Sequence, residues 1–261
     1  MKGAVFVSDE RMEYAARVLQ EKGIDLDIAF DSQQGERIVS GDPSVYDFIL
    51  APIRGAIDGN MTLQGESFSV DSFLNGLRPG IPVITGFKSE YMMKLGINLV
   101  SFQDDDAFCR QNGKLTAEGV LKMIIENTKE SIYSYRYDIV GTGRSGCCIK
   151  ELLEKLGLPV RMISHSRKED SLSMDEWRRS EPSSIVINAT PKSICDLADL
   201  KQWKKEITII DISSMRMNKE KVEQTYPNVH YFPAPPLPGT VAPKTAGILL
   251  GNFVWEVIGC H

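Results

Sequence analysis

One stretch limits the folds open to this chain more than any other. Tyr137-Asp138-Ile139-Val140 has the character of a short apolar strand and runs directly into Gly141-Thr142-Gly143-Arg144-Ser145-Gly146. Over residues 147–156 the apolar side chains Ile149, Leu152, Leu153 and Leu156 recur at helical spacing, so a helix follows the glycines. Each glycine then has its own work. Gly141 permits the tight turn, Gly143 lets backbone approach a pyrophosphate, and Gly146 lets helix and strand pack closely. The helix N-terminus offers unpaired N–H groups and a positive dipole end to phosphates. A lone G-x-G-x-x-G is a weak signal, but this one sits between a strand and a helix and leads to a second strand at 159–163. That context predicts a dinucleotide site; the alternative is a merely tight strand-to-helix turn.

The end of the second strand bears on which dinucleotide. A site that prefers NAD has an acid roughly 20 residues after the glycines, bonded to the ribose 2′-hydroxyl. Here the chain reads Ser164-His165-Ser166-Arg167-Lys168, and the first acid, Glu169, follows two cations. Ser164, Ser166, Arg167 and Lys168 are therefore assigned to the cofactor. Ser166 can donate to a 2′-phosphate, and Arg167 can grip it in a fork or stack on adenine. NADP is expected, with NAD possible if the segment is only a solvated polar loop.

Composition narrows the class of partner. At 261 residues the chain holds one large domain or two moderate ones, and 42% hydrophobic with 25% charged residues is ordinary for a globular enzyme. A net charge of −5, with no basic stripe interleaved with aromatics, argues against nucleic acid. No apolar run approaches the length of a membrane span, and the start reads as a strand and not as a signal peptide. Five cysteines without a C-x-x-C pair read as reduced thiols. A cytoplasmic protein is expected.

The remaining chain alternates strands with helical patterns. Before the glycines, strands are predicted at 3–7, 25–30, 46–51, 81–85 and 97–100, with helices at 9–22, 70–77 and 90–95 and a hairpin-like excursion at 59–69. Arg54 leaves the third of these strands at its carboxyl end, where open α/β sheets bind ligands. It is a candidate carboxylate holder, with an ordinary surface arginine as the alternative. Asp104-Asp105-Asp106 reads as an acidic helix start, and no metal is expected. A long helix is predicted over 116–127, with Glu118 near its start as a capping residue or a group facing an interdomain cleft.

After the glycines, a charged helix is predicted over 171–180 and a strand over 184–188. Asn188, Thr190 and Pro191 leave that strand as candidates to line the nicotinamide ribose, the alternative being turn chemistry before a proline. Arg216 lies beyond the next strand, at 207–210. The prolines of Phe232-Pro-Ala-Pro-Pro-Leu-Pro-Gly239 predict a rigid, extended connector. A last helix starts at Pro243, which places Lys244 and Thr245 at an N-terminus suited to an anion. Its docking face is Leu249, Leu250, Phe253, Val254 and Val257. The expected fold class is α/β: two doubly wound, parallel-sheet, Rossmann-like domains with a C-terminal helix crossing back to the first. Residues 1–128 with 241–261 would form the substrate domain, and residues 129–240 the dinucleotide-binding domain.

Four stretches together resemble the nicotinamide-binding (A-type) subunits of dipicolinate synthases: Gly141 to Gly146, Ser164-His165-Ser166-Arg167, Asn188-Ala-Thr-Pro191 and above all Leu237-Pro-Gly-Thr-Val-Ala-Pro-Lys-Thr-Ala-Gly247. Leu115-Thr-Ala-Glu118-Gly119 is similar to a Pro-Thr-Val-Glu-Gly segment of that family. The resemblance covers the second half well and the first half in layout. Met215-Arg216-Met217-Asn218 departs from the family's Arg-Pro-Gly-Gly.

The resemblance implies an NADP-dependent oxidoreductase component that converts dihydrodipicolinate, from the lysine pathway, to dipicolinate in the mother cell of a sporulating bacterium. It also implies a flavoprotein-like (B-type) dipicolinate synthase subunit as partner, in a homo- or hetero-oligomer. The layout is similar to that of D-2-hydroxyacid dehydrogenases and adenosylhomocysteinase. On that chemistry Lys244 and Thr245, with Arg54 or Arg216, would hold the dicarboxylate, and hydride would pass from a ring carbon to C4 of the nicotinamide. None of His165, His230 and His261 falls at an evident general-base position, which leaves Glu118 as a partly buried candidate for proton acceptor. The catalytic assignment is thus Glu118, Lys244 and Thr245. Two alternatives stand: another dehydrogenase of the same layout acting on a 2-hydroxy or amino acid, or a non-catalytic nucleotide-binding partner protein.

Overall fold

A computed structural model of the chain describes residues 1–29, 42–165 and 170–259. The chain divides into two compact units, Met1–Gln111 with Ala242–His261, and Asn112–Val241. Among the described residues, no helix is long and apolar enough to cross a membrane.

The first unit is built on β1 (Lys2–Phe6), β2 (Asp25–Ala29), β3 (Phe48–Leu50), the hairpin β4 (Asn60–Leu63) and β5 (Glu66–Ser69), β6 (Pro82–Thr85) and β7 (Asn98–Ser101). Its main sheet has the order β2-β1-β3-β6-β7, all parallel, with the direction of winding reversing between β1 and β3. The strands are apolar on both faces because both faces are covered. Val5, Leu50 and Ile84 pack with the Glu10–Glu21 helix on one side. Ala4, Ile49 and Val83 pack with the hairpin residues Met61 and Leu63 on the other.

The last helix, Pro243–Gly259, completes this first unit. It contributes Leu250, Val254 and Ile258 to the same cluster as Met12, Ala15 and Leu19 of Glu10–Glu21. Gly247 and Gly251 make the seam. A Cβ on Gly247 would lie 2.4 Å from the Arg11 carbonyl oxygen, and one on Gly251 would lie 2.8 Å from the Val18 Cβ. The helix therefore crosses back as its apolar face predicts, but the two backbones approach more closely than that face alone indicates.

The second unit holds β8 (Tyr137–Val140), β9 (Val160–Ser164), β10 (Ser171–Ser173), β11 (Ile185–Asn188), β12 (Ile207–Asp211) and β13 (Val229–Pro233). The order β10-β9-β8-β11-β12-β13 is all parallel, and it places the unit's strands as 3-2-1-4-5-6. That is the dinucleotide-binding arrangement, reversing between β8 and β11. The two doubly wound parallel sheets agree with the fold class expected from the sequence.

Three local expectations need correction. The long helix spans Asp106–Asn127, not 116–127. Asp105 starts it by accepting the Phe108 N–H at 2.6 Å, so Glu118 lies mid-helix and exposed, neither at a cap nor partly buried. The expected helix over 171–180 is β10 followed by a shorter helix, Met174–Arg179, closed by a capping box between Ser173 and Glu176. The proline-rich connector is not extended throughout, because Leu237–Val241 is a short helix. Pro238 falls in its first turn, where its missing N–H costs nothing, and the Pro236 carbonyl accepts from Gly239 at 3.1 Å and Thr240 at 3.2 Å.

Candidate nucleotide site

At the carboxyl end of β8 the three glycines take up three different geometries. Gly141 has φ +116°, and a Cβ there would lie 2.8 Å from the Ala189 carbonyl oxygen. Gly146 is closed in the same way: its Cβ would sit 2.0 Å from the Gly141 carbonyl oxygen, where the Arg144–Lys155 helix meets the turn. Gly143 is the opposite case. It is exposed, extended at φ −76° and ψ 180°, and a Cβ there would meet nothing within 4 Å. It stands at the N-cap of the helix with no side-chain cap bond, so the first N–H groups are left for a ligand. A turn closed at both ends and open at its middle residue fits a pyrophosphate laid against backbone. Thr142 and Ser145 are half-buried beside it and Arg144 is exposed.

The loops after β11 and β12 flank this turn through one buried network. Asn188 is fully buried; its Nδ2 donates to the Lys192 carbonyl at 2.9 Å and to Asp211 Oδ1 at 3.1 Å. Its Oδ1 accepts from the Thr190 N–H at 3.2 Å and the Thr190 hydroxyl at 2.9 Å. The Asn188 side chain is thus spent on shaping the 189–192 turn, which is the turn-chemistry reading of Asn-Ala-Thr-Pro, with Pro191 exposed at its tip. Asp211, also fully buried, accepts from the Ser213 N–H at 2.9 Å and from the Tyr231 hydroxyl at 2.6 Å. The Tyr231 hydroxyl in turn accepts from the Met217 N–H at 2.9 Å. Burial, and then the Asp211 carboxylate, push the Tyr231 phenol well above its ordinary range, so it remains a donor.

Sequence reasoning did not single out Asp211 or Tyr231. An acid as the last residue of a buried strand was the available signal; its phenol partner is 20 residues away and leaves no local trace.

The other nominated residues fall into separate places. Ser164 is buried, with its hydroxyl 3.0 Å from that of Ser171, and His165 beside it is exposed. Ser166, Arg167 and Lys168, expected to choose between NADP and NAD, lie outside the described residues. Arg216 is exposed beyond β12, with its Nε donating to the Ser213 carbonyl at 2.9 Å. Its other guanidinium nitrogens have no partner among the described residues. Arg54, Lys244 and Thr245 belong to the first unit and are all exposed. Arg54 follows β3, and Lys244 and Thr245 stand in the first turn of Pro243–Gly259.

Known proteins fit this geometry. No family model matches the chain. The A-type subunit of dipicolinate synthase from Bacillus subtilis (strain 168) is 24% identical over 190 residues, covering 67% of this chain and 64% of that protein. The match therefore spans slightly less than two thirds of the relative's length. The crystal structure of the corresponding dipicolinate synthase subunit from Bacillus halodurans superposes with a TM-score of 0.81 at 23% identity, covering 98% of this chain and 97% of that one. NAD-dependent formate dehydrogenase from Staphylococcus aureus, solved in complex with NAD, gives a TM-score of 0.62 at 13% identity, covering 99% and 95%. The fold is thus shared with a nicotinamide-linked dehydrogenase, and in both sequence and fold this chain is similar to the A-type subunit of dipicolinate synthase.

Proposed function

We propose that this chain is the nucleotide-binding component of an NADP-linked oxidoreductase that converts dihydrodipicolinate to dipicolinate. One observation carries the reading: the Arg144–Lys155 helix begins at an exposed glycine with its N-terminal N–H groups uncapped, beside two glycines that admit no side chain. Such a terminus is made for an anion. The similarity to dipicolinate synthase supplies the substrate class.

The roles follow from the residues. Gly141 to Gly146 receive the pyrophosphate, with Thr142 and Ser145 hydroxyls at its edge. Ser164 to Lys168 are assigned to the adenosine ribose, with the charges of Arg167 and Lys168 favouring a 2′-phosphate. Thr190 and Pro191, held in place by Asn188, bound the nicotinamide end. When bound, the nicotinamide supplies the hydride acceptor. Arg216 offers an open fork to a substrate carboxylate, and Arg54, Lys244 and Thr245 are the corresponding anion holders of the first unit. The dihydro ring gives up a hydride and a proton; Glu118, an exposed carboxylate, is the group nominated to take the proton. A flavoprotein-like second polypeptide is the proposed partner, and the mother-cell cytoplasm the proposed compartment.

Calorimetric titration of the purified chain with NADP⁺ and NAD⁺, each with and without dipicolinate, tests this. Tighter binding of NADP⁺, strengthened by dipicolinate, is the expected result. Binding of neither nucleotide overturns it. A chain that binds NADP⁺ but turns over dihydrodipicolinate only when a second polypeptide is added would be the nucleotide-binding partner of chemistry performed elsewhere.

A further inference from the structure

The crossover between β11 and β12 covers its sheet unlike the one between β8 and β9. The latter lays a twelve-residue helix, Arg144–Lys155, over Tyr137 and Ile139. The former provides only a four-residue helix, Ile194–Leu197, and a three-residue 3₁₀ turn, Leu200–Gln202. These two pieces keep Val186 and Ile209 dry, but they leave a cavity of about 520 Å³ between themselves and the Met174–Arg179 helix. That volume falls within the range of roughly 300–1,000 Å³ typical of small-molecule sites.

The cavity has two indoles and a phenol in its wall. Its polar rim carries Arg178 and Arg179 on one side and the carboxylates of Asp196 and Asp199 on the other, with Arg178 already paired to Asp175 at 3.2 Å. Trp177 is buried and anchored, its Nε1 donating to Asp138 at 2.7 Å. Trp203, half-buried, packs edge-on against it with ring centroids 5.8 Å apart. Tyr226 and Cys195 line the cavity too, and burial pushes the Cys195 thiol up, so it is a neutral wall and not a nucleophile. The walls are tied together: Arg178 Nε donates across to the Leu197 carbonyl at 2.8 Å. Asp199 is occupied in capping the 3₁₀ turn and bonding Gln202. Arg179 has no partner among the described residues. The same rim continues into an adjoining recess of about 240 Å³, lined by Arg178, Arg179, Trp203 and Lys204. Lys204 has no partner among the described residues either.

We propose that this cavity binds a small planar aromatic carboxylate, its ring against Trp203 and Tyr226 and its carboxylate in the fork of Arg179. Stacking on the indole and a charge-assisted pair with guanidinium are the interactions such a ligand needs. Lys204 adds positive charge on the same side. The lining residues lie outside the glycine turn and the 189–192 turn, although Cys195 follows the latter in the same connection and is within electrostatic reach of Asp211 and Tyr231. Benzoate binding is therefore read by its own signals and not through nucleotide binding.

Benzoate is the probe, titrated into the full chain while the ¹⁵N-indole signals of its tryptophans are followed by NMR. There are three tryptophans, and Trp255, on the Pro243–Gly259 helix, is the internal control. Saturable shifts of the Trp203 and Trp177 signals, with Trp255 unmoved, are expected at millimolar benzoate. Benzamide, with the same ring and no charge, should bind about tenfold more weakly, and Arg179→Gln should weaken benzoate by a similar factor. Arg179 is exposed, so this variant keeps the fold, which unchanged indole positions in the free protein would verify. Equal binding of benzoate and benzamide, an Arg179→Gln variant that binds benzoate as well as the parent, or the absence of any saturable shift would each overturn the proposal.

Discussion

Each unit contains a βα step of the same build, a parallel strand, a short turn and a twelve-residue helix (β1 with Glu10–Glu21, β8 with Arg144–Lys155), yet the turns end in opposite chemistry. After β1, Asp9 caps its helix by accepting the Arg11 N–H at 3.1 Å, and the same carboxylate takes the Arg11 guanidinium at 2.9 and 2.7 Å. The first helix therefore arrives with its terminus already satisfied by an anion of the chain's own. After β8, Gly143 supplies no side chain and the terminus is left open. One βα unit is thus sealed for stability, while the other withholds a cap and leaves room for a ligand's negative charge. The cost of the missing cap, about 1 kcal/mol, falls on the unit that stands to recover it on binding.

The sharpest way to break this contrast is Gly146→Val. A side chain there has to displace the Gly141 backbone, so nucleotide affinity should fall by about a thousandfold or more, with stability lower by roughly 1–3 kcal/mol. Calorimetry and thermal unfolding read both. Gly143→Asp converts the second terminus into a copy of the first. Nucleotide binding should weaken about a hundredfold while the unfolding midpoint holds or rises, since the aspartate caps the helix but occupies the anion's place. A Gly143→Asp variant that binds NADP⁺ normally would show that the phosphates lie elsewhere.

Asp9→Ala is the mirror experiment. It removes a cap and strands the mostly buried Arg11, so the first unit should lose about 2 kcal/mol by denaturant titration, with nucleotide affinity unchanged. Smallest of the four is Arg216→Gln, expected to weaken dipicolinate binding about tenfold in the presence of NADP⁺ and to leave NADP⁺ binding itself intact.

What could be read in the sequence was local chemistry. The glycine turn is specified within six residues, and the strands announce themselves as apolar runs because parallel sheets are buried on both faces. The docking face of the last helix was visible for the same reason. What escaped was set by distant contacts. The helix predicted over 116–127 starts ten residues earlier and runs through Gly113, where a Cβ would lie 2.8 Å from the Cys148 sulfur, so tertiary packing explains that glycine. β10 is Ser-Leu-Ser, with no pattern of its own; it is a strand because Met162, Ile163 and Ser164 of β9 pair with it. In the candidate site, the glycines were legible and the Asn188–Asp211–Tyr231 network was not, because its members come from three strands and meet only when the sheet has formed.

The glycine seam of the last helix has a consequence for how the molecule is made. Residues 112–241 lie, in chain order, between the two parts of the first unit. As the chain leaves the ribosome, the groove over Ala15 and Leu19 stays uncovered through the synthesis of the whole second unit, until Gly247, Leu250, Gly251 and Val254 emerge. The second unit is contiguous and can close as soon as its own residues are out. The order of the chain therefore delays the first unit: its core is completed only by residues that follow the whole of the second unit, and until then Ala15 and Leu19 lack the partners that cover them.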